Sequence, residues 1–195
     1  PPAANVTKTA NSLSIGPLEI ECRQAQLWQP MPNWQLLRES QSGWQNRLPE
    51  MQTAVTNDLN RIGDIGPANF TEQFGTTIAD MQAVSLKADP GRWQTAVTTL
   101  AGFGPGFTPA GDDFLVGFLF GLWATQSQDE VMKLAKIVVD TAVPRTTKLS
   151  AAWLQAAGRG EAWLPWHELV AALCTGHGWQ RPIQRILNQG ATSGI

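Results

Sequence analysis

A run of apolar side chains over residues 114–124 constrains this chain more than any other stretch. Phe114, Leu115, Val116, Phe118, Leu119, Phe120, Leu122 and Trp123 fall on every side of a helix, and a helix that is apolar all round needs neighbours all round. The run is 11 residues long, whereas a membrane-spanning helix needs about 20. The spacing therefore predicts a central helix over residues 112–126 at the middle of a packed domain, with no membrane segment. Gly117 and Gly121 lie four apart on one face, where a second backbone is expected to come close.

What surrounds that helix is legible as a series of breaks. From Leu13 to Trp28 apolar and polar residues alternate: Leu13 and Ile15, then Leu18, Ile20 and Cys22, then Ala25 and Leu27. Gly16-Pro17 supplies a turn, so short antiparallel strands are expected. After Pro32 the pattern becomes helical, interrupted at residues 63–67, 89–91 and 102–111, at Pro144, and at residues 158–165 and 176–178, which yields seven or eight helices. The first, over Trp34 to Ile62, carries an amphipathic stripe with an interruption expected at Pro49. The fold class is α+β, mainly α-helical, with a small N-terminal β-sheet and a central buried helix. Residues 1–31 are expected to form a tail and the sheet, and residues 32–195 a helical domain, the whole being one portion of a longer chain.

Charge narrows the range of functions. A formal net charge of −2 with mixed signs is unlike the basic face of a nucleic-acid binder. Cys22 and Cys174 are remote in sequence and form no CxxC pair, so neither a disulfide framework nor a zinc site is expected, and a reducing cytoplasm fits. No secretory signal opens the sequence. Nine tryptophans and no tyrosine provide large packing anchors while removing every phenol from the acid and base candidates. His167 and His177 have no partner at metal spacing and are read as structural, as is Cys174 on its apolar helix face.

The chemistry concentrates at residues 104–113, GPGFTPAGDD. Glycine admits positive φ and close ligand approach, and proline fixes φ, so the loop backbone is tightly specified before it enters the central helix. Helix N-termini leave amides unpaired and attract anions. Gly104, Gly106, Thr108 and Gly111 are candidate binding positions on this ground. Asp112 and Asp113 can serve as cap and dipole partner, yet two adjacent carboxylates repel an anion. A ligand here is expected to bring donor groups or a cation, with Mg²⁺ on Asp112 or Asp113 as the candidate metal and no other cofactor implied. The loop is neither a Walker A sequence nor GxGxxG. Further along, Arg145 is a candidate bidentate anion partner, and Thr146, Thr147 and Ser150 can line one strip of the helix that follows Pro144, although capping by either threonine explains them equally well.

Three stretches carry a resemblance. GFGPGFTPAGDDFLVGFLFGL at 102–122, Thr146-Thr147 with Ser150 and the following AAWLQAAGRGEAWLPWHELVAAL, and ILNQGATSGI at 186–195 are together similar to the AllH-like family, which includes a subunit of oxamate carbamoyltransferase. Ser14 to Glu21 with Trp28-Gln29-Pro30 resembles the family's N-terminal sheet. Ala191 departs from the family, where many members have histidine. The resemblance implies carbamoyl transfer between oxalurate and phosphate in allantoin and purine nitrogen catabolism, with carbamoyl phosphate and oxamate as the other reactants and with other subunits as partners. It places Asp112, Asp113 and Arg145 in the catalytic machinery. Gly104, Gly106, Thr108, Gly111, Thr146, Thr147, Ser150, Thr192 and Ser193 then contact substrate. The competing expectation is a noncatalytic small-anion-binding or scaffolding subunit.

Overall fold

The computed structural model describes residues 5–62, 75–77, 79, 81 and 90–188. The chain begins with a three-stranded antiparallel sheet in the order β1-β2-β3, from β1 (Val6–Lys8), β2 (Ser12–Ile15) and β3 (Leu18–Glu21). Ile15 pairs with both Val6 and Leu18, and Leu13 with both Lys8 and Ile20. Because side chains alternate across a strand, this register gathers the apolar residues on one face and Thr7, Ser14 and Glu19 on the other. The Gly16-Pro17 turn lies where expected, with Gly16 at φ +58. No third strand forms at Ala25 and Leu27; Leu27 is 98% exposed. The added partner of β2 is instead β1, within what reads as a polar tail.

The remaining regular elements among the described residues are helices. The elements are α1 (Trp34–Glu39), α2 (Gln41–Gln45), α3 (Leu48–Ile62), α4 (Pro90–Leu100), α5 (Ala110–Thr125), α6 (Gln128–Ala142), a 3₁₀ turn (Val143–Arg145), α7 (Lys148–Gly158), α8 (Leu164–Thr175) and α9 (Gln180–Leu187). The expected long first helix is three helices. Its breaks come at Ser40 and at Asn46-Arg47, where the Trp44 carbonyl accepts from Arg47 N–H at 3.0 Å in a tight turn. Pro49 opens α3 rather than interrupting it, since proline in a first turn loses no intrahelical bond.

The central helix forms as α5. It starts at Ala110 behind Pro109, carries Asp112 and Asp113 in its first turn, and ends at Gln126 in extended conformation. Helices α1, α4, α6 and α7 pack on it. Leu115 and Leu119 are fully buried, with Phe120 at 2% exposure. Phe120 stacks on Trp34 of α1, their ring centroids 5.7 Å apart, and tilts against Trp166 of α8 at 4.6 Å. Among the described residues no second backbone comes close to Gly117 or Gly121: a Cβ at either would meet none of them within 4 Å, so α5 presents a strip along Asp113, Gly117 and Gly121 that no described element covers.

The segment before α1 is tied to the far end of the chain. Ala162 N–H donates to the Pro30 carbonyl at 2.8 Å, and His167 Nε2 lies 3.2 Å from the same oxygen. Trp34 Nε1 donates to Gly160 O at 2.8 Å, and Trp123 Nε1 to Ala157 O at 3.0 Å. These indoles fasten the α7–α8 connection, whose Gly160 at φ +77 brings it against the Trp123 ring. No described helix is long and apolar enough to cross a membrane.

Candidate functional site

The loop before α5 is braced from both sides. Gly102, at φ +72, turns its N–H toward Asp112 Oδ1 at 2.9 Å. The other oxygen, Oδ2, accepts from the Thr146 hydroxyl. Asp112 is thus a buried carboxylate, 1% exposed, that closes the loop onto the segment leading into α7. Packing explains the glycines at two positions. A Cβ on Gly102 would run into the Arg145 carbonyl oxygen, and a Cβ on Gly111 would overlap the Leu100 carbonyl, at 2.9 Å from its carbon.

A second brace holds the loop's middle. Thr147 caps α7 by accepting from Ser150 N–H at 3.1 Å, and its own hydroxyl donates to the Phe107 carbonyl at 2.6 Å. The Ser150 hydroxyl donates to the same carbonyl at 3.3 Å. Capping and lining therefore describe the same hydroxyl, because a cap oxygen that accepts from the backbone still has a hydrogen to donate. Sequence reasoning missed the Phe107 carbonyl as the hub; no side-chain pattern signals a main-chain acceptor.

These braces change where unpaired amides lie. At the start of α5, Gly111 N–H donates to Phe103 O at 2.9 Å, and Asp112 and Asp113 donate to Pro109 O at 2.9 and 3.1 Å. The helix end is therefore largely satisfied. In the preceding loop, the N–H groups of Gly104, Gly106, Phe107 and Thr108 meet no acceptor among the described residues. Gly104 and Gly106 have φ +112 and +90, values that keep this stretch in a conformation side chains rarely adopt. Pro105, Gly106 and Phe107 are exposed, with Thr108 half-buried beside them.

Asp113 lies on the solvent side of the same helical turn. Desolvation by the surrounding chain and then the Asp112 carboxylate push its carboxyl up to about 6. The two aspartates therefore differ in kind, one a buried brace and the other an accessible acid. Among the described residues no group of three His, Cys, Asp or Glu could hold a metal ion.

Arg145 is brought to this neighbourhood by its backbone only. Its carbonyl abuts Gly102, while its guanidinium turns back along the 3₁₀ turn and donates through Nη1 to Thr141 O at 2.5 Å. The side chain enters a surface cleft between α4 and α6 instead of joining the loop. Thr146, Thr147 and Ser150 do converge on the loop. Thr192 and Ser193 lie outside the described residues.

This braced loop sits within the stretch that matches a known family. The model of AllH, described as oxamate carbamoyltransferase subunit AllH, matches residues 100–195. Residues 100–195 are AllH-like. The match bears out the resemblance carried by the loop and the hydroxyl segment, and it takes in the braces, the 3₁₀ turn and α5 to α9. No curated protein and no solved structure matches the chain. The AllH-like stretch does not include Trp34 or Trp44, both buried, which residues 34–45 contribute to the protein's core.

Proposed function

We propose that this chain is a subunit of an oxamate carbamoyltransferase-like enzyme. In this reading the assembled enzyme transfers a carbamoyl group between oxalurate and phosphate, yielding carbamoyl phosphate and oxamate, in cytoplasmic allantoin and purine nitrogen catabolism. The observation that carries it is the loop itself: amides at Gly104, Gly106, Phe107 and Thr108 with no acceptor among the described residues, on a backbone braced at Asp112 and at the Phe107 carbonyl. Such amides can hold an anionic group and cost little reorganisation when charge develops on it.

Roles follow from the geometry. Asp112 and Thr146 position the loop without touching substrate, and Thr147 and Ser150 fix its middle. Asp113, with its carboxyl raised to about 6, can give a proton close to neutral pH to the oxamate nitrogen as its bond to the carbamoyl carbon breaks and the phosphate oxygen bonds there. Both Asp112 oxygens are engaged and shielded, so a Mg²⁺ arriving with a phosphate-bearing reactant would meet Asp113, and no step is assigned to it. Thr192 and Ser193 remain proposed substrate contacts.

Gly106→Ala tests this reading in the assembled complex, because a Cβ at φ +90 forces the amide cradle to rearrange. The expected result is a loss of transfer on the order of 100-fold, as for removal of an oxyanion donor. Parental activity would overturn the proposal. A scaffolding role is the second reading, favoured by Phe107, which is 70% exposed on the braced loop as a contact for another subunit would be. Phe107→Ala that releases the chain from the complex, with Gly106→Ala fully active, would establish that reading instead.

A further inference from the structure

We infer that the N-terminal sheet is a self-association surface: the apolar face of β1–β3 packs on the same face of a second copy of this chain, giving a small two-layer sandwich about a twofold axis. The register defines the face. Val6, Ile15 and Leu18 are cross-strand partners, as are Lys8, Leu13 and Ile20, and residues two apart on a strand share a side. Val6, Leu13, Ile15, Leu18 and Ile20 therefore lie together with Lys8, while Ser14, Glu19 and Glu21 lie on the opposite side.

The apolar face is uncovered. No residue of the three strands is buried, and none belongs to either hydrophobic core of the helical body. Val6 is 63% exposed, Leu18 56% and Ile20 41%. A sheet with one apolar side buries that side against a second layer, and no described element supplies one here.

Charge and size select the occupant. The face carries no carboxylate, because Glu19 and Glu21 point to the other side and would remain in water in a sandwich. Lys8 belongs to edge strand β1, where its stem can cover apolar surface while the ammonium reaches solvent. Two copies related by a twofold axis thus oppose apolar groups without bringing like charges to the centre. The strand edges are poorer routes. Pairing β3 with its own copy would set Glu19 and Glu21 against glutamates, and β1 offers only three residues.

With strands about 4.8 Å apart and residues about 3.4 Å apart, the face measures roughly 14 Å on each side, or roughly 200 Å². A standard stable complex buries about 800 Å² on each partner. The association is therefore weak and concentration-dependent, and the order of the sheet is coupled to it. No residue of the loop before α5 takes part, so this inference stands or falls independently of the reaction proposed above.

Sedimentation equilibrium of the full chain from about 5 to 500 µM tests it, because an association of this kind responds to protomer concentration. The expected result is a monomer–dimer equilibrium, with slower hydrogen exchange at the β2 amides at the upper end of the range. Leu18→Glu and Ile20→Lys are each expected to stay monomeric, and since they change the net charge in opposite directions, charge alone cannot explain the loss in both. Glu19→Gln, on the outer face, should dimerise as the parent does. Helical circular dichroism of all three variants should match the parent, because the sheet lies outside both cores. A parent that is monomeric across the whole range overturns the inference, as does a dimer that persists in both Leu18→Glu and Ile20→Lys.

Discussion

Removing the Asp112 carboxylate measures how far the loop depends on its brace. Asp112→Ala deletes the acceptor for Gly102 N–H and for the Thr146 hydroxyl, and leaves a small void at a position 1% exposed. Hydrogen bonds to a charged group contribute about 1.5–3 kcal/mol each, so the gross loss is about 3–6 kcal/mol. Part of this is offset, because the parent spends free energy keeping a carboxylate out of water with neutral donors as its partners. A net destabilisation of about 2–4 kcal/mol is expected, a fall in Tm of roughly 4–16 °C at about 2–4 °C per kcal/mol for a chain of this size. Asp112→Asn keeps an acceptor for Gly102 and a donor for the Thr146 oxygen, and should cost about 1 kcal/mol. Urea denaturation of the single variants, Thr146→Val and the double variant completes a cycle, whose coupling should be about 1 kcal/mol or more. Stability of Asp112→Ala within about 0.5 kcal/mol of the parent, or strict additivity with Thr146→Val, would refute the brace.

Two further outcomes concern the same turn. The Asp113 carboxyl is raised from 3.8 to about 6 in the folded protein, so the folded state holds its proton more tightly than the unfolded chain and stability falls as pH rises from about 4 through 6. Asp113→Asn should lack this descending limb and gain on the parent above pH 6 in urea midpoints measured from pH 4 to 8; parallel curves would contradict the shift. Gly111→Ala drives a methyl into the Leu100 carbonyl and within 3.2 Å of the Phe103 Cβ, and should cost about 3 kcal/mol or more by thermal melting, with a neutral result showing that α5 can slide away from α4.

Much of this was legible in the sequence where one physical rule governs a stretch. The central helix followed from apolar residues on all its sides, and the β2–β3 hairpin from alternation around Gly16-Pro17. Rules failed where partners are remote. Val6 to Lys8 shows almost no apolar alternation, and its strand exists because β2 offers an edge. The tripartite α1–α3 region hides behind a continuous amphipathic stripe, since its kinks come from main-chain turns with no proline at the breaks. At the site, sequence placed Thr146, Thr147 and Ser150 correctly beside the loop. It put Arg145 there too, and only the backbone complied, because a 3₁₀ turn can direct a carbonyl and its own side chain to opposite neighbours.

The tryptophan fastening between the chain's two halves bears on what counts as a unit here. The family model's match begins at residue 100, yet Trp34 fills the space over Phe120 and reaches Gly160, and Leu37 lies beside it at 2% exposure. A polypeptide trimmed to the AllH-like stretch would present that aromatic hollow to water and would have to collapse, swap or recruit a substitute indole. The cooperative unit here is wider than the matched stretch, and a graft of the loop onto another scaffold would have to carry α1 along with it.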